Sequence, residues 1–190
     1  MELNFDTNNG FLNIQRNGKA VKSHKTMLPF IHWNPYPKAQ NLDYVREIEQ
    51  LWDIKIPQYY IDFLTLAGAD KPSITNHYGE NIACRATTNR GGKYELIPMF
   101  ECFYNFDYDL ISTMTEFAYY YDDENDDIDH DETAKQLKLL PIYNANGSLV
   151  CLDFSKDPSN PSVSFADIEE SDVYHVADSF YDFLMELEIC

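Results

Sequence analysis

Two stretches in the first half of the chain carry the hydrophobic spacing of amphipathic helices. In the first, the apolar side chains that fall on one helix face are Val45, Ile48, Leu51 and Trp52. Asn41 is a good N-cap for this helix, and Asp43 falls in its first turn, where the helix dipole favours an anion. The helix is predicted to end near Asp53.

A second helix is predicted to follow directly, so that the two form a helical hairpin. Pro57 suits its first position, because the missing N–H would have no partner there anyway. The apolar stripe of this helix consists of Tyr60, Phe63, Leu64 and Ala67. Gly68 is placed to terminate the helix, and Pro72 stands where a helix could not continue.

The second half of the chain contains strand-like runs separated by turn signals. KLLPIY (138–143) and LVCLDF (149–154) predict a hairpin around Asn146-Gly147. SVSFAD (162–167) predicts a third strand, with VYHV (173–176) as a candidate fourth strand.

Weaker strand signals lie nearer the N-terminus. FLNIQ (11–15) and AVKSH (20–24) can pair as a hairpin across Gly18. KYELIPMF (93–100) is strand-like, but Pro98 indicates the end of a strand or the edge of a sheet.

Two helices are predicted in the second half. The first runs from about Tyr108 to Tyr121, and its buried face consists of Ile111, Met114 and either Phe117 or Ala118. The second runs from about Ala177 to Glu188, and its inward-facing side chains are Phe180, Phe183, Leu184 and Leu187.

Charge is divided unequally along the 190 residues. Residues 1–93 hold 11 Lys and Arg against 9 Asp and Glu, whereas residues 94–190 hold 3 against 23, and the net charge of the chain is −18. Such a surface repels nucleic acid and anionic membranes and attracts basic proteins. An acidic surface also keeps a protein in solution without any partner, so composition leaves both interpretations open.

Eight acidic residues fall within the eleven positions of DDENDDIDHDE, residues 122–132. Repulsion this dense favours an extended, solvated loop. The run does not match a calcium-binding loop, because its sixth position is not glycine and its twelfth is not glutamate. A solvated loop and a contact with a partner protein both stay open, as does weak binding of divalent cations. The residues favoured as contacts are Asp122, Asp123, Asp126 and Asp127.

The predicted last helix carries an acidic stripe of its own, opposite its apolar face: Asp178, Asp182 and Glu186. Like charges four positions apart oppose helix formation by about 0.2–0.5 kcal/mol per pair. Such a helix either tolerates this cost for solubility or presents a surface to a basic partner.

No catalytic or metal-binding motif is found. Gly91-Gly92-Lys93 lacks the first glycine and the following Ser or Thr of a phosphate loop. No nucleophile elbow occurs, and the five histidines and four cysteines show no metal-ligand spacing. A Cys–His pair that meets only in space stays open. We therefore expect no enzymatic activity, no cofactor and no metal.

The chain carries no signal for export or membrane insertion. Its N-terminus, MELNFDTNNG, lacks the basic and apolar regions of a signal peptide. No run of about 18 apolar residues could span a bilayer. The four widely separated cysteines favour free thiols over a disulfide framework, so a cytoplasmic protein is expected.

Three blocks of the sequence resemble, in the same order, the signatures of the SUKH superfamily. These blocks are the helical hairpin IEQLWDIKIPQYYIDFLTLAGADKP, the strand pair KLLPIYNANGSLVCLDFS and the closing helix VADSFYDFLMEL. The resemblance covers residues 42–190, and residues 1–38 form an N-terminal extension outside it. A glycine that is common in the family before the proline turn is Asp53 here.

The resemblance implies an α+β fold in a single domain, with a mixed, mostly antiparallel sheet packed against helices, and no catalysis. Bacterial members are immunity proteins of polymorphic or contact-dependent toxin systems, and fungal relatives are cell-wall and signalling regulators. We therefore expect a protein that neutralises a cognate toxin, such as a nuclease, by covering its basic surface. Neither nucleic acid nor a membrane is expected as a partner. The alternative is a regulatory protein-interaction scaffold.

Overall fold

The computed structural model describes residues 3–8, 11–16, 19–20, 31–32, 39–67, 75–76, 82–87, 94–99, 103–104, 106, 109–121, 129–145, 147–185 and 188–189. The helices in these residues are α1 (Leu42–Trp52), α2 (Gln58–Ala67), α3 (Leu110–Tyr121), α4 (His130–Leu137) and α5 (Phe180–Met185). The strands are β1 (Leu3–Asn8), β2 (Phe11–Arg16), β3 (Lys19–Ala20), β4 (Ile31–His32), β5 (Thr75–Asn76), β6 (Ile82–Thr87), β7 (Tyr94–Met99), β8 (Leu139–Ala145), β9 (Ser148–Asp153), β10 (Ser162–Asp167), β11 (Asp172–Ala177) and β12 (Glu188–Ile189). The fold is therefore α+β, as expected.

The four strands predicted from the second half form one antiparallel sheet in the order β11-β10-β9-β8. Every residue of β9 is buried, because this strand lies inside the sheet and its apolar side chains pack on both faces. The turn from β8 to β9 contains Gly147 at φ 96°, whose amide donates to the Asn144 side chain at 2.9 Å. The predicted hairpin therefore forms with Gly147 in its turn, and Asn146 lies outside the described residues.

The remaining strands in the described residues form two further sheets, one of five strands and one of three. One has the order β1-β2-β4-β5, with β3 beside β2, and the other has the order β12-β6-β7. Gln15 in β2 pairs with Ala20 in β3, so the hairpin predicted across Gly18 forms next to its turn, and residues 21–24 of the predicted strand lie outside the described residues. Pro98 lies in β7, at the edge of its sheet in the described residues, which agrees with the expectation for a proline in a strand.

The helical hairpin is confirmed, and its turn is tightly bonded. The Asn41 side chain accepts from the Tyr44 amide at 3.2 Å and caps α1. Asp53 ends α1 in the left-handed region, at φ 51° and ψ 53°. Pro57 directly precedes α2, and its carbonyl accepts the amide of Tyr60 at 3.0 Å. The predicted terminators Gly68 and Pro72 lie outside the described residues.

A cluster of aromatic rings joins α2, α5 and the four-stranded sheet. Phe180 packs edge-on against Tyr60 and Phe63, with ring centroids 5.1 and 5.0 Å apart. Phe103 meets Tyr143 of β8 at 5.3 Å in the same geometry. Aromatic pairs in this arrangement contribute about 0.5–1.5 kcal/mol beyond their buried area. This cluster fixes α2 and α5 on the sheet.

The predicted loop over residues 122–132 is wrong at its C-terminal end. Residues 130–132 belong to α4, and Asp129 is the N-cap of that helix, accepting from the amides of Asp131 and Glu132 at 3.1 and 3.3 Å. The partial positive charge of a helix N-terminus stabilises the acidic residues of the first turn. The last acids of the run therefore begin a helix, although they repel one another.

The bounds of the last helix also differ from the prediction. Ala177 is the final residue of β11, and α5 starts at Phe180 after its N-cap, Ser179. The chain is extended again at Glu188. Asp178 therefore lies before the helix rather than on it. The predicted inward-facing side chains Phe180, Phe183 and Leu184 are buried, and Leu187 lies outside the described residues.

Two predictions of buried side chains need correction. Leu51, placed on the buried face of α1, is 40% exposed. Ile111 is only partly buried, whereas its neighbour Leu110 is fully buried with Met114, Phe117 and Ala118. None of the described helices is long and apolar enough to cross a bilayer.

Candidate protein-binding surface

The last turn of α3 exposes three consecutive tyrosines. Tyr119, Tyr120 and Tyr121 are 54%, 42% and 37% exposed, while Phe117 and Ala118 face the core. Tyrosine is enriched at the centres of protein interfaces, because its ring gives large apolar contact and its hydroxyl gives a hydrogen bond. This group, called the tyrosine triplet below, is therefore a candidate anchor for a partner.

An open groove of about 570 Å³ runs between α3 and α4 beside the triplet. Its α3 wall is formed by Ser112, Thr115, Glu116, Tyr119 and Tyr120, and its α4 wall by His130 and Asp131. Glu116 of α3 and Asp131 of α4 both line the groove. The groove thus combines aromatic surface with acidic side chains, and this mixture suits a cationic partner.

Specific bonds hold the two walls together. The hydroxyl of Thr115 lies 2.9 Å from a carboxylate oxygen of Asp131 and 3.1 Å from the carbonyl of Ile111. The rings of Tyr119 and His130 meet edge-on, with centroids 5.1 Å apart. Within the described part of the chain, the buried Nδ1 of His130 has no hydrogen-bond partner.

The end of α3 is also fixed from the sheet. Ser171, in the turn between β10 and β11, donates its hydroxyl to the carbonyl of Tyr120 at 2.9 Å. The last four carbonyls of a helix have no partner within the helix. This bond therefore satisfies one of them, and it ties the tyrosine triplet to the four-stranded sheet.

The start of α3 carries a carboxylate that stays charged. Asp109 accepts from the amide of Ser112 at 3.0 Å and from its hydroxyl at 2.8 Å. These hydrogen bonds lower the pKa of Asp109, with a further contribution from Tyr44. A fixed negative charge thus stands at the opposite end of α3 from the tyrosines.

The four favoured residues of the acidic run, Asp122, Asp123, Asp126 and Asp127, lie outside the described residues. Their place in the chain is nevertheless well marked, because the segment 122–128 connects Tyr121, the last residue of α3, to Asp129, the cap of α4. The acidic run therefore starts directly after the tyrosine triplet and ends beside the groove. Their role as contacts stays a prediction.

The second predicted cluster does not form a stripe on one helix. Asp178 is 93% exposed in the bend after β11, with its carboxylate 3.1 Å from Nε2 of His175. Asp182 is half-buried in α5, where it accepts the Ser179 hydroxyl at 2.6 Å, and its amide donates back at 3.1 Å. This reciprocal pair is a capping arrangement, so Asp182 serves its own helix. Glu186 lies outside the described residues.

The sequence contained a signal for this surface that the hydrophobic spacing did not use. Tyr119, Tyr120 and Tyr121 stand together immediately before the acidic run, and a helix cannot bury three consecutive side chains on one face. Glu116 and Asp131 gave no comparable signal, because only the packing of α3 on α4 brings them to one groove.

The described residues offer little for nucleophilic or metal chemistry. No group of three or more His, Cys, Asp or Glu side chains in them is arranged to hold a metal ion. Cys151 is a free thiol, fully buried in β9. Burial, and then the charge of Asp153, raises the pKa of this thiol well above its usual range. A buried neutral thiol is a poor nucleophile.

Comparison with known proteins gives a family for this chain. No curated protein and no solved structure matches it. The sequence model of one family, described as SMI1 / KNR4 family (SUKH-1), matches residues 41–186. The match extends from the N-cap of α1 beyond the end of α5 and covers well over half of the 190 residues. The chain therefore belongs to the SMI1 / KNR4 family (SUKH-1).

Proposed function

We propose that this protein is a non-catalytic, cytoplasmic immunity protein, which binds a cognate bacterial toxin of a polymorphic toxin system and neutralises it by covering a basic surface. The observation that carries the proposal is the tyrosine triplet Tyr119–Tyr121, which stands exposed between an acidic groove and an acidic run. Aromatic side chains are enriched at the centres of protein interfaces. A surface whose charges are all of one sign attracts a partner of the opposite charge.

Electrostatics favours a nuclease as the toxin. A nuclease must hold phosphates, so its active cleft is basic. The second half of this chain carries 23 acidic residues against 3 basic ones, and it would be attracted to such a cleft at an increased association rate. An inhibitor bound there neutralises the toxin by excluding its substrate, with no chemistry of its own.

Neutralisation by stoichiometric binding needs no catalytic group. The described residues hold no metal-binding cluster, and the thiol of Cys151 is buried with a raised pKa. A stoichiometric inhibitor requires neither. The scattered cysteines support the proposed cytoplasmic location.

The test begins with capture of the partner from a lysate of the source organism at low and at high salt. A captured basic protein is then expressed in a host with and without this protein, and growth is measured. We expect salt-sensitive capture at one-to-one stoichiometry, toxicity of the captured protein alone, and rescue by co-expression.

Substitutions test which residues of this protein bind the captured partner. Replacing Tyr119 and Tyr120 by Ser should weaken binding by about 2 kcal/mol or more, the effect typical of interface anchors. Replacing Asp122 and Asp123 by Asn should reduce the salt dependence, whereas the matched exposed pair Asp62→Asn and Asp157→Asn should not. Unchanged affinity in both test variants contradicts the electrostatic mechanism.

The alternative function, a regulatory scaffold, predicts a different result. Capture would then be insensitive to salt and would yield several cellular proteins, none of them toxic when expressed alone. The position of the gene discriminates as well, because an immunity gene should lie beside a toxin gene.

A further inference from the structure

We infer that the surface where α1, α3 and α4 meet around Ile111 binds a linear, basic segment of the partner, with one apolar side chain of that segment inserted between two cations. The inference rests on the proposed function and names the part of the surface and the chemistry that it recognises.

Two depressions lie on either side of Ile111. One is the groove between α3 and α4, and the other, of about 510 Å³, lies between the N-terminal parts of α1 and α3. The second depression is lined by Tyr44, Glu47 and Asp109. Both include Ile111 and Ser112, so the two depressions form one continuous track along α3.

A small apolar recess opens beside this track. It has a volume of about 120 Å³ and is lined in part by Leu51, Trp52, Ile111 and Ala134. Sites for small molecules usually have about 300–1,000 Å³, so the recess is too small for such a ligand. A cavity of about 150 Å³ admits a group the size of benzene. The recess therefore fits a single side chain.

The exposed Leu51 supports the same assignment. Its side chain is 40% exposed and lines the recess. An apolar anchor in the recess would cover it.

Acidic side chains stand at both ends of the track. Glu47 and Asp109 line the depression at the α1 end, and Glu116 and Asp131 line the groove at the α4 end. Asp109 directly precedes α3 and Glu116 lies in it, seven residues further on, which places their backbones about 10 Å apart along the helix axis. A segment in the polyproline II conformation covers that distance in about three residues at ~3.1 Å each, and its three residues per turn place side chains three positions apart on the same face. The segment that fits therefore has two cations three positions apart with an apolar residue between them.

One lysine, Lys135, lines the recess, and its positive charge does not exclude a cationic segment. The ammonium of Lys135 lies 3.6 Å from the Glu132 carboxylate on the same helix. Its charge is thus balanced within α4, and the charges of Glu116 and Asp131 stay available to a cationic segment.

The experiment uses the full-length protein and a short amidated peptide with two lysines three positions apart and a leucine between them. Backbone amide shifts are recorded by NMR during titration at low salt. We expect the largest shifts at residues 44–51 and 109–116, and binding that is about 3- to 10-fold weaker in the variant Glu47→Gln with Glu116→Gln, on the scale of two exposed ion pairs. The control variant, Asp62→Asn with Asp157→Asn, removes the same charge from outside the track and should bind as the parent does.

Two outcomes overturn the inference. Shifts spread over all acidic surfaces, with equal losses in both double variants, would show general attraction only. Equal binding of a peptide in which glutamine replaces the leucine would show that the recess takes no anchor. Neither outcome involves toxin or cell growth, so a failure here is distinguishable from a failure of the proposed function: a toxin could still be neutralised through the acidic run.

Discussion

The hydroxyl of Tyr44 in α1 accepts a hydrogen bond of 3.1 Å from the backbone amide of Ile111 in the first turn of α3. The first four amides of a helix have no partner within the helix. The carboxylate of Asp109 accepts from the amide of Ser112 at 3.0 Å. The N-terminus of α3 is therefore capped by two side chains, that of Asp109 directly before the helix and that of Tyr44 in α1. The bond joins the two helices that form one end of the track.

Replacing Tyr44 by Phe should lower the free energy of unfolding by about 0.5–1.5 kcal/mol, because the Ile111 amide loses its acceptor while the ring is kept. Urea denaturation followed by circular dichroism measures the change. The control Tyr120→Phe removes the hydroxyl of an exposed ring. The hydrogen bond between Tyr120 and Ser171 uses the backbone carbonyl of Tyr120 and is kept. The free energy of unfolding of this variant should stay within about 0.5 kcal/mol of the parent. Equal stability of the two variants would contradict this role of the hydroxyl.

Replacing Glu49 by Ala should lower the free energy of unfolding by about 1–3 kcal/mol, because the part-buried amide of Ile56 loses its acceptor. The Glu49 carboxylate is 14% exposed, and it accepts from that amide and from the Lys55 ammonium, both at 2.9 Å. Lys55→Ala removes only a 70% exposed partner and should change stability by less than about 1 kcal/mol. Urea denaturation of both variants tests the ranking, and a larger effect for Lys55→Ala would refute it.

Replacing Asp53 by Gly should raise the free energy of unfolding by up to about 1 kcal/mol. Asp53 ends α1 at φ 51°, in the left-handed region where a side chain is strained and glycine is not. Asp53→Ala keeps the strain without the local hydrogen bonding of an aspartate, and it should be no more stable than the parent. Thermal unfolding monitored for the three proteins gives the order, and destabilisation by glycine would be the contrary result.

Replacing Gly147 by Ala should lower the free energy of unfolding by about 1–2 kcal/mol through backbone strain alone. Gly147 has φ 96°, and an added Cβ would meet no atom within 4 Å. Steric clash therefore cannot explain a loss. Gly147→Asn should lose less, since asparagine tolerates positive φ better than alanine does. If both variants unfold at the same denaturant concentration as the parent, the turn does not require glycine.

The protein should lose stability as the pH rises above 10, partly because of Tyr59. Burial raises the pKa of Tyr59 to about 12, whereas in the unfolded chain the value is near 10. The folded state holds the proton more tightly, so this contribution is complete below pH 10 and is lost as the pH rises towards 12, by up to about 1.4 kcal/mol per pH unit. Tyr59→Phe should show a shallower fall between pH 10 and 11 in urea denaturation. An unchanged slope would exclude Tyr59 as the source.

The parts of the fold with strong local signals could be predicted from the sequence. Asn41 and Asp43 mark the start of α1, and the residues of the β8–β9 turn specify a hairpin without reference to the rest of the chain. Helix α4 was not predicted, because repulsion within the acidic run was weighed without the compensating helix dipole. Leu51 was misplaced because it lies about 60° around the helix axis from Ile48, at the border of the buried stripe.

The candidate surface was less accessible to prediction than the fold. The acidity of the second half of the chain is plain in the sequence, but Glu47 and Glu116 lie 69 positions apart and come to one track only because α1, α3 and α4 meet at Ile111. The predicted stripe of Asp178 and Asp182 failed for a related reason. Ser179 forms a capping pair with Asp182 and starts the helix after Asp178.

The hydrogen bond from the Ser171 hydroxyl to the Tyr120 carbonyl fixes the backbone that a partner would contact at the end of α3. A helix end without such a bond frays, and a partner that binds it must first order its backbone, at about 1–2 kcal/mol per residue. Here the backbone under the tyrosines is pre-organised by the sheet. Ordering these residues on association would then cost side-chain rotation, about 0.5–1.5 kcal/mol for each ring, but no ordering of their backbone, so more of the contact energy of the rings would appear as affinity.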